Sequence, residues 1–139
     1  MIFLDTSFII SYYNEHDDNH SRALSLMNKI VSGNYGEFII SDYIFDEVAT
    51  IAFIRLKNLS EVEKIGNDIQ FFTNIYTIEE KVFQDSWNIF VKQYDTKMSF
   101  TDCSIIALMR SQRVKYLATF DEDFDKVEGI EILNYSDGI

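Results

Sequence analysis

The sequence predicts an α/β fold in which a mostly parallel sheet is covered by helices on both faces. Three observations predict it. Short apolar runs of about four to six residues recur along the chain, bounded by polar breakers, as buried strands require. Stretches with helical periodicity lie between these runs, which is the order of βα units. The chain has 139 residues, 47% of them apolar, enough for one core and too few for two. Residues 1–139 are therefore expected to form a single domain.

Taken in order, the first strand is read at Met1 to Leu4. The helical stretch "SRALSLMNKIV" follows, with Ala23, Leu24, Met27, Ile30 and Val31 on one face. Glu37 to Ile40 comes after Gly33 and Gly36 and reads as the second strand. "DYIFDEVATIAFIRLK" sets Ile44, Val48, Ile51 and Phe53 or Ile54 at helical spacing. Two helices, near residues 42–57 and 60–73, precede a third strand at Asn74 to Ile78. "KVFQDSWNIFVKQY" is amphipathic, with Phe83, Trp87 and Phe90 as its core stripe. "FTDCSIIALMRSQ" is more apolar and is expected to be more buried. Lys115 to Ala118 and Ile130 to Leu133 complete the strands.

Composition narrows the function classes. Twelve Lys+Arg against 23 Asp+Glu give 12 − 23 = −11. Taken alone, such a charge slows encounter with nucleic acid, although a metal ion or a local basic patch reverses the field where contact occurs. The single cysteine, Cys103, forms no internal disulfide and reads as a small core residue. No apolar run approaches the ~20 residues that span a bilayer. The start "MIFLDTSF" has no basic n-region, so a cytoplasmic protein is expected.

The acids carry the chemistry. In open α/β sheets, ligands bind beyond the carboxyl ends of the strands, where strand order reverses. Asp5 ends the first strand and Asp121 follows the fourth by two residues. If those strands are neighbours, their loops meet. Glu47 shares an apolar helix face with Ile44 and Ile51, and Asp102 lies on or beside a stripe with Ile105, Ile106 and Met109. No Lys or Arg sits three or four residues from either acid, so neither has a helix-local ion pair. A buried carboxylate is costly unless it is paired or bound to a cation. Mg²⁺ or Mn²⁺ suits carboxylate oxygens and leaves positions for a substrate phosphate. That chemistry is in-line hydrolysis of a phosphodiester, with no Ser, Cys or His nucleophile.

Each acid alone also has a structural reading. Asp5, Thr6 or Ser7 can cap the next helix. Ser99 to Asp102 has capping-box spacing, and one residue can serve both roles. Asp121 and Asp123 suit Asx-turns, and Glu122 faces solvent. His16 and His20 are four apart, yet no third zinc ligand follows, so they read as a solvated helix start.

The ordered set "MIFLDTSFII", "FDEVATIA", "SFTDCSIIALM" and "YLATFDEDF…GIEIL" resembles the PIN-domain ribonucleases, and within them the VapC-type toxins. The match runs over nearly the whole chain. The resemblance implies a three-layer α/β/α sandwich on a sheet of about five strands. It places the metal-binding and catalytic acids at Asp5, Glu47, Asp102 and Asp121, with Asp123 matching a more variable fifth acid. Thr6 or Ser7, Ser99 and Thr119 match small polar positions that support the site. It further implies a Mg²⁺ or Mn²⁺ cofactor, a structured RNA substrate, a homodimer, and an antitoxin whose basic or bulky side chain fills the acidic pocket. Arg110, Arg113 and Lys115, or Arg55 and Lys57, are candidates for a basic rim, and equally complement helix C-termini. Two rivals remain open. One is an aspartate-nucleophile phosphatase, which usually has a second Asp where this chain has Ser7. The other is a non-catalytic PIN module that binds RNA or a protein.

Overall fold

The structure, a computed structural model, describes residues 1–134. Five strands form one sheet: β1 (Ile2–Leu4), β2 (Phe38–Ser41), β3 (Thr73–Tyr76), β4 (Tyr116–Ala118) and β5 (Glu131–Leu133). Their order is β3-β2-β1-β4-β5, and every pairing is parallel. Six helices connect them: α1 (Thr6–Tyr13), α2 (His20–Ser32), α3 (Asp42–Leu56), α4 (Leu59–Phe72), α5 (Glu80–Val91) and α6 (Phe100–Gln112). The predicted α/β class and five-stranded parallel sheet are what the chain forms.

Topology explains the layers. From β1 the chain steps through β2 to β3, then returns across the sheet to β4 and β5. Crossovers in parallel sheets are right-handed, so reversing direction moves the connecting helices to the opposite face. The helix contacts follow this division: α1 touches α2 and α3, α3 touches α4, and α5 packs on α6. The result is the three-layer sandwich. Central β1 is sealed on both faces, with Ile2, Phe3 and Leu4 all 0% exposed. Burying each of these side chains is worth about 1.5–3 kcal/mol. Helix α6 carries an unbroken buried run, every residue from Cys103 to Met109.

Several boundaries and faces differ from the reading of the sequence, each for a local reason. The third strand is Thr73–Tyr76 and stops short of Ile78. Its last partner is Ser41, and just beyond, Asp42 Oδ1 accepts from the Ile78 and Tyr43 backbone N–H groups, each at 3.0 Å. That carboxylate turns the chain out of the ladder. In α2 the buried face is Ala23, Leu26, Met27 and Ile30, while Leu24 and Val31 are exposed. An i, i+3, i+4, i+7 set includes Leu26 and leaves Leu24 and Val31 each about 100° from it. In α3, Ile44, Val48 and Ala52 are buried, Ile51 is half-buried, and Phe53 and Ile54 are exposed. In α5, Phe83 and Trp87 are exposed and only Phe90 of the expected stripe packs against the core. The buried face is Val82 and Ser86, and the Ser86 hydroxyl donates to the Val82 carbonyl at 2.6 Å. A serine that satisfies itself on its own helix can enter the core, which an apolar pattern does not show.

Candidate active site

The first and fourth strands are neighbours in register, Leu4 beside Ala118, so the loops leaving them meet. This is also where strand order reverses, the position at which open α/β sheets bind ligands. A cleft of about 370 Å³ opens here, lined by Asp5, Glu47, Asp102 and Asp121 together with Thr6 and Ser7. Four carboxylates from four separate parts of the chain thus share one cavity.

Asp5 is fixed most firmly. It is buried and caps α1, its Oδ1 accepting from the Thr6 N–H at 2.7 Å. Its Oδ2 accepts from Thr119 Oγ1 at 2.6 Å and from Ser7 Oγ at 3.1 Å. The same two hydroxyls bind the next loop: Thr119 Oγ1 accepts from the Asp121 N–H at 3.0 Å, and Ser7 Oγ from the Phe120 N–H at 3.1 Å. Each hydroxyl donates its one proton to Asp5 and accepts from the backbone leading to Asp121. Two strand-end loops are thereby tied through a single carboxylate. Burial pushes the Asp5 carboxyl up to about 6; the Thr119 bond opposes this, the Asp102 charge adds to it, and the Ser7 and Thr6 bonds oppose it.

Asp102 enters from the first turn of α6. Ser99 caps that helix, its Oγ accepting from the Asp102 N–H while Asp102 Oδ2 accepts from the Ser99 N–H, both at 3.0 Å. The predicted capping box therefore forms, and the same residue lines the cleft. Burial raises the Asp102 carboxyl, its bonds with Ser99 oppose that, and the charges of Asp121 and Glu47 raise it further. The Asp102 charge in turn raises Asp5, so the acids act on one another electrostatically. Asp121 caps a short 3-10 turn, Glu122–Lys126, with Oδ1 accepting from the Asp123 N–H at 2.9 Å. Glu47 reaches the cleft half-buried from α3.

The supporting residues divide by position. Thr6 and Ser7 line the cleft, and Thr6 Oγ1 is buried without a hydrogen-bond partner. Thr119 is buried behind Asp5, and Ser99 acts from outside by holding Asp102. Asp123 is half-buried and does not line the cleft; it contributes its backbone N–H to Asp121. His20 opens α2, its Nδ1 at 2.8 Å from the Ser11 carbonyl, and His16 is exposed.

Reading the sequence missed part of the wall. Ile10, Ser11, Asp17, Asn19 and Ile51 also line the cleft, and so does Arg55, which the sequence offered only as one of several candidates for a basic rim. Asp17 lies in the turn between α1 and α2, where its Oδ1 accepts from Ser11 Oγ at 3.0 Å and the Asn19 N–H at 2.8 Å. Its signal was the polar run "NEHDDN", which marks a turn but not a direction.

The donor set suits a hard divalent cation in type and place. Five acids face one cavity that a single basic side chain, Arg55, enters among the described residues, and a hydroxyl buried without a partner lies in the same wall. It is not a preformed coordination shell. Among the described residues, no three Asp, Glu, His or Cys side chains are drawn together tightly enough to hold a metal ion as they stand.

Known proteins give this geometry its context. The sequence matches the PIN domain family over residues 2–130. It is 22% identical over 132 residues to the 23S rRNA-specific endonuclease VapC20 of Mycobacterium tuberculosis, covering 95% of this chain and 98% of that one. The crystal structure of VapC20, a Sarcin-Ricin loop cleaving toxin, superposes with a TM-score of 0.82 over 96% of this chain and 99% of VapC20. A toxin–antitoxin complex from Klebsiella pneumoniae is similar at a TM-score of 0.70 and 17% identity, over 94% of this chain and 96% of that one. VapBC2 from Rickettsia felis, bound to a DNA fragment from its promoter, is similar at 0.71 and 15% identity, over 95% and 97%. No helix among the described residues is long and apolar enough to cross a membrane. With the family match spanning nearly the whole chain, and four carboxylates gathered at the β1–β4 switch point, the chain belongs to the PIN-domain family.

Proposed function

We propose that the protein is a metal-dependent endoribonuclease and the toxin of a toxin–antitoxin pair. The observation that carries this reading is the convergence of Asp5, Glu47, Asp102 and Asp121 on one cleft, in a chain similar over its length to an rRNA endonuclease. Asp5, Glu47, Asp102 and Asp121 would hold Mg²⁺ or Mn²⁺. When bound, such an ion lowers the pKa of a water and offsets charge developing on the phosphoryl group.

The protein's part is orientation. Asp5 is held by three donors and cannot swing out of the cleft without breaking them. Asp102 is aimed by its cap, and Asp121 by the turn it closes. Ser7 and Thr119 keep the Asp5 and Asp121 loops at a fixed separation. This is the support that functional carboxylates need to stay aligned. The test is cleavage of an RNA panel, rRNA included, with Mn²⁺ by the wild type and by Asp5→Asn. Loss in the variant supports the assignment; equal cleavage refutes it.

Similarity to toxin–antitoxin complexes supports an antitoxin partner, with the acidic cleft as the feature a basic side chain would enter. A homodimer belongs to the same reading, and Phe83, Trp87 and Val91, exposed along one stripe of α5, are the surface it gives to the second copy. Sedimentation of Trp87→Glu as a monomer would bear this out. The spread of the carboxylates favours one competing reading, a non-catalytic module. Metal binding without cleavage of any RNA in the panel would decide for it.

A further inference from the structure

Arg55 stands in an unusual place. It lies in the last turn of α3 and is the one basic side chain that lines the acidic cleft among the described residues, in company with Asp5, Glu47, Asp102 and Asp121. It also lines an apolar recess formed by Ile10, Ala52, Leu56 and Ile65. A stem against apolar side chains with its head in a cleft is how arginine places a guanidinium at a boundary.

Its ion pair is weak. Arg55 Nη1 reaches Asp17 Oδ2 at 3.5 Å, a single long contact, and the Arg55 side chain is 52% exposed. Asp17 does not depend on it. That carboxylate is only 16% exposed and its other oxygen already takes the Ser11 hydroxyl and the Asn19 N–H. A guanidinium forms its strong contacts as short paired hydrogen bonds to two oxygens, and a phosphate offers that geometry. Asp17 therefore holds Arg55 in reserve and does not consume it.

We propose that Arg55 is the phosphate-binding residue of the cleft, and that its guanidinium transfers from Asp17 to an RNA backbone phosphate when substrate binds. The inference rests on the ribonuclease reading and extends it to how RNA is held. It also answers a difficulty of charge. A chain at −11 repels RNA, and this is the point where a cation and the acids occupy one surface. Arg110, Arg113 and Lys115 are more ordinary: Arg113 is the C-cap of α6, Arg110 lies in its last turn, and Lys115 pairs with Glu131 at 3.6 Å.

The test is fluorescence anisotropy with a labelled RNA hairpin and with labelled total rRNA, in an Asp121→Asn background that suppresses turnover, across a salt series. Arg55→Ala should weaken binding about tenfold and lower the slope of log K against log salt by about one. Arg55→Lys should keep the slope and recover part of the affinity. Asp17→Asn, which releases Arg55, should bind RNA more tightly than the parent. A merely structural pair predicts that Arg55→Ala and Asp17→Asn shift in the same direction, with melting temperature. Binding by Arg55→Ala equal to the parent's overturns the inference and leaves the ribonuclease reading intact. Absence of RNA binding by the wild type overturns both.

Discussion

Asp5→Asn should make the metal-free protein more stable at pH 8 while removing its activity. The Asp5 carboxyl rises from 3.8 to about 6, first because burial disfavours its charge. Between those values the native state keeps a proton that the unfolded chain has released. Stability therefore falls as pH rises through that window, and the full penalty is present from about pH 6 upward. At about 1.4 kcal/mol per pH unit, the gap is worth about 3 kcal/mol. Asparagine carries no charge and escapes this cost. Its amide places an NH₂ where one oxygen stood, so one of the Thr119, Ser7 and Thr6 donors loses its acceptor, at about 1 kcal/mol. The net expectation is a variant about 2 kcal/mol more stable than the wild type at pH 8, melting about 5 °C higher. At pH 4, where the wild-type carboxyl is neutral, the variant should be about 1 kcal/mol less stable.

Urea denaturation of both proteins in EDTA, from pH 4 to pH 8, measures this. The diagnostic is the crossing of the two stability curves. A difference that stays flat with pH would show that Asp5 is solvated or already neutralised, and the argument for a cation would lose its electrostatic basis. Adding Mn²⁺ gives the complementary result. An ion at a hundred times its Kd stabilises its native protein by about 2.7 kcal/mol, and this should appear in the wild type and be much reduced in Asp5→Asn.

Three further substitutions separate support from chemistry. Thr119→Val removes the largest bond that opposes protonation of Asp5, so Asp5 should titrate at higher pH, and the acid limb of the cleavage profile should move up with it; carboxyl NMR of the metal-free protein checks the first and rate profiles the second. Ser99→Ala deletes the α6 cap and should cost about 1 kcal/mol in urea denaturation. It should also lower kcat more than it raises KM, because the helix start that carries Asp102 loosens even though the Ser99 N–H that aims the carboxylate is retained. Gln93→Met removes a side chain that makes four hydrogen bonds in the approach to α6, accepting from Met98 N–H and Thr96 Oγ1 and donating to the Phe90 and Met98 carbonyls. A loss of about 2–4 kcal/mol is expected, with faster hydrogen exchange over residues 94–99 as the local readout.

The strands and their order of appearance were legible because parallel, doubly covered strands are continuous apolar runs, and "MIFL", "EFII" and "KYLA" are unambiguous. Helix faces were less so. Leu24, Val31, Phe53 and Ile54 are apolar and exposed, while Ser86 is polar and buried, so hydropathy alone rotates the face. The acids were legible for a different reason: a carboxylate on an apolar stripe is conspicuous, and Glu47 and Asp102 are such cases. Asp17 was not, because an Asp in a polar turn is ordinary, and Arg55 stood only among several candidates for a basic rim; only the fold shows that the α1–α2 turn comes back beside the end of α3.

The sequence set two explanations against each other at nearly every acid, a cap or turn on one side and a metal site on the other. In the structure the two are compatible, because the cap and the turn each occupy one oxygen. Asp102 caps with Oδ2, and Asp121 closes its turn with Oδ1. The cap and the turn make no use of the other oxygens, Asp102 Oδ1 and Asp121 Oδ2. Asp5 takes three donors on two oxygens that between them accept about four. In each case backbone N–H groups fix the direction of a carboxylate and leave acceptor capacity in the cleft. An aspartate fits this better than a glutamate, since its short side chain reaches its own helix start without a flexible arm. The three acids that begin a helix or a turn are aspartates, and the one that reaches in from the middle of α3, Glu47, is the longer residue.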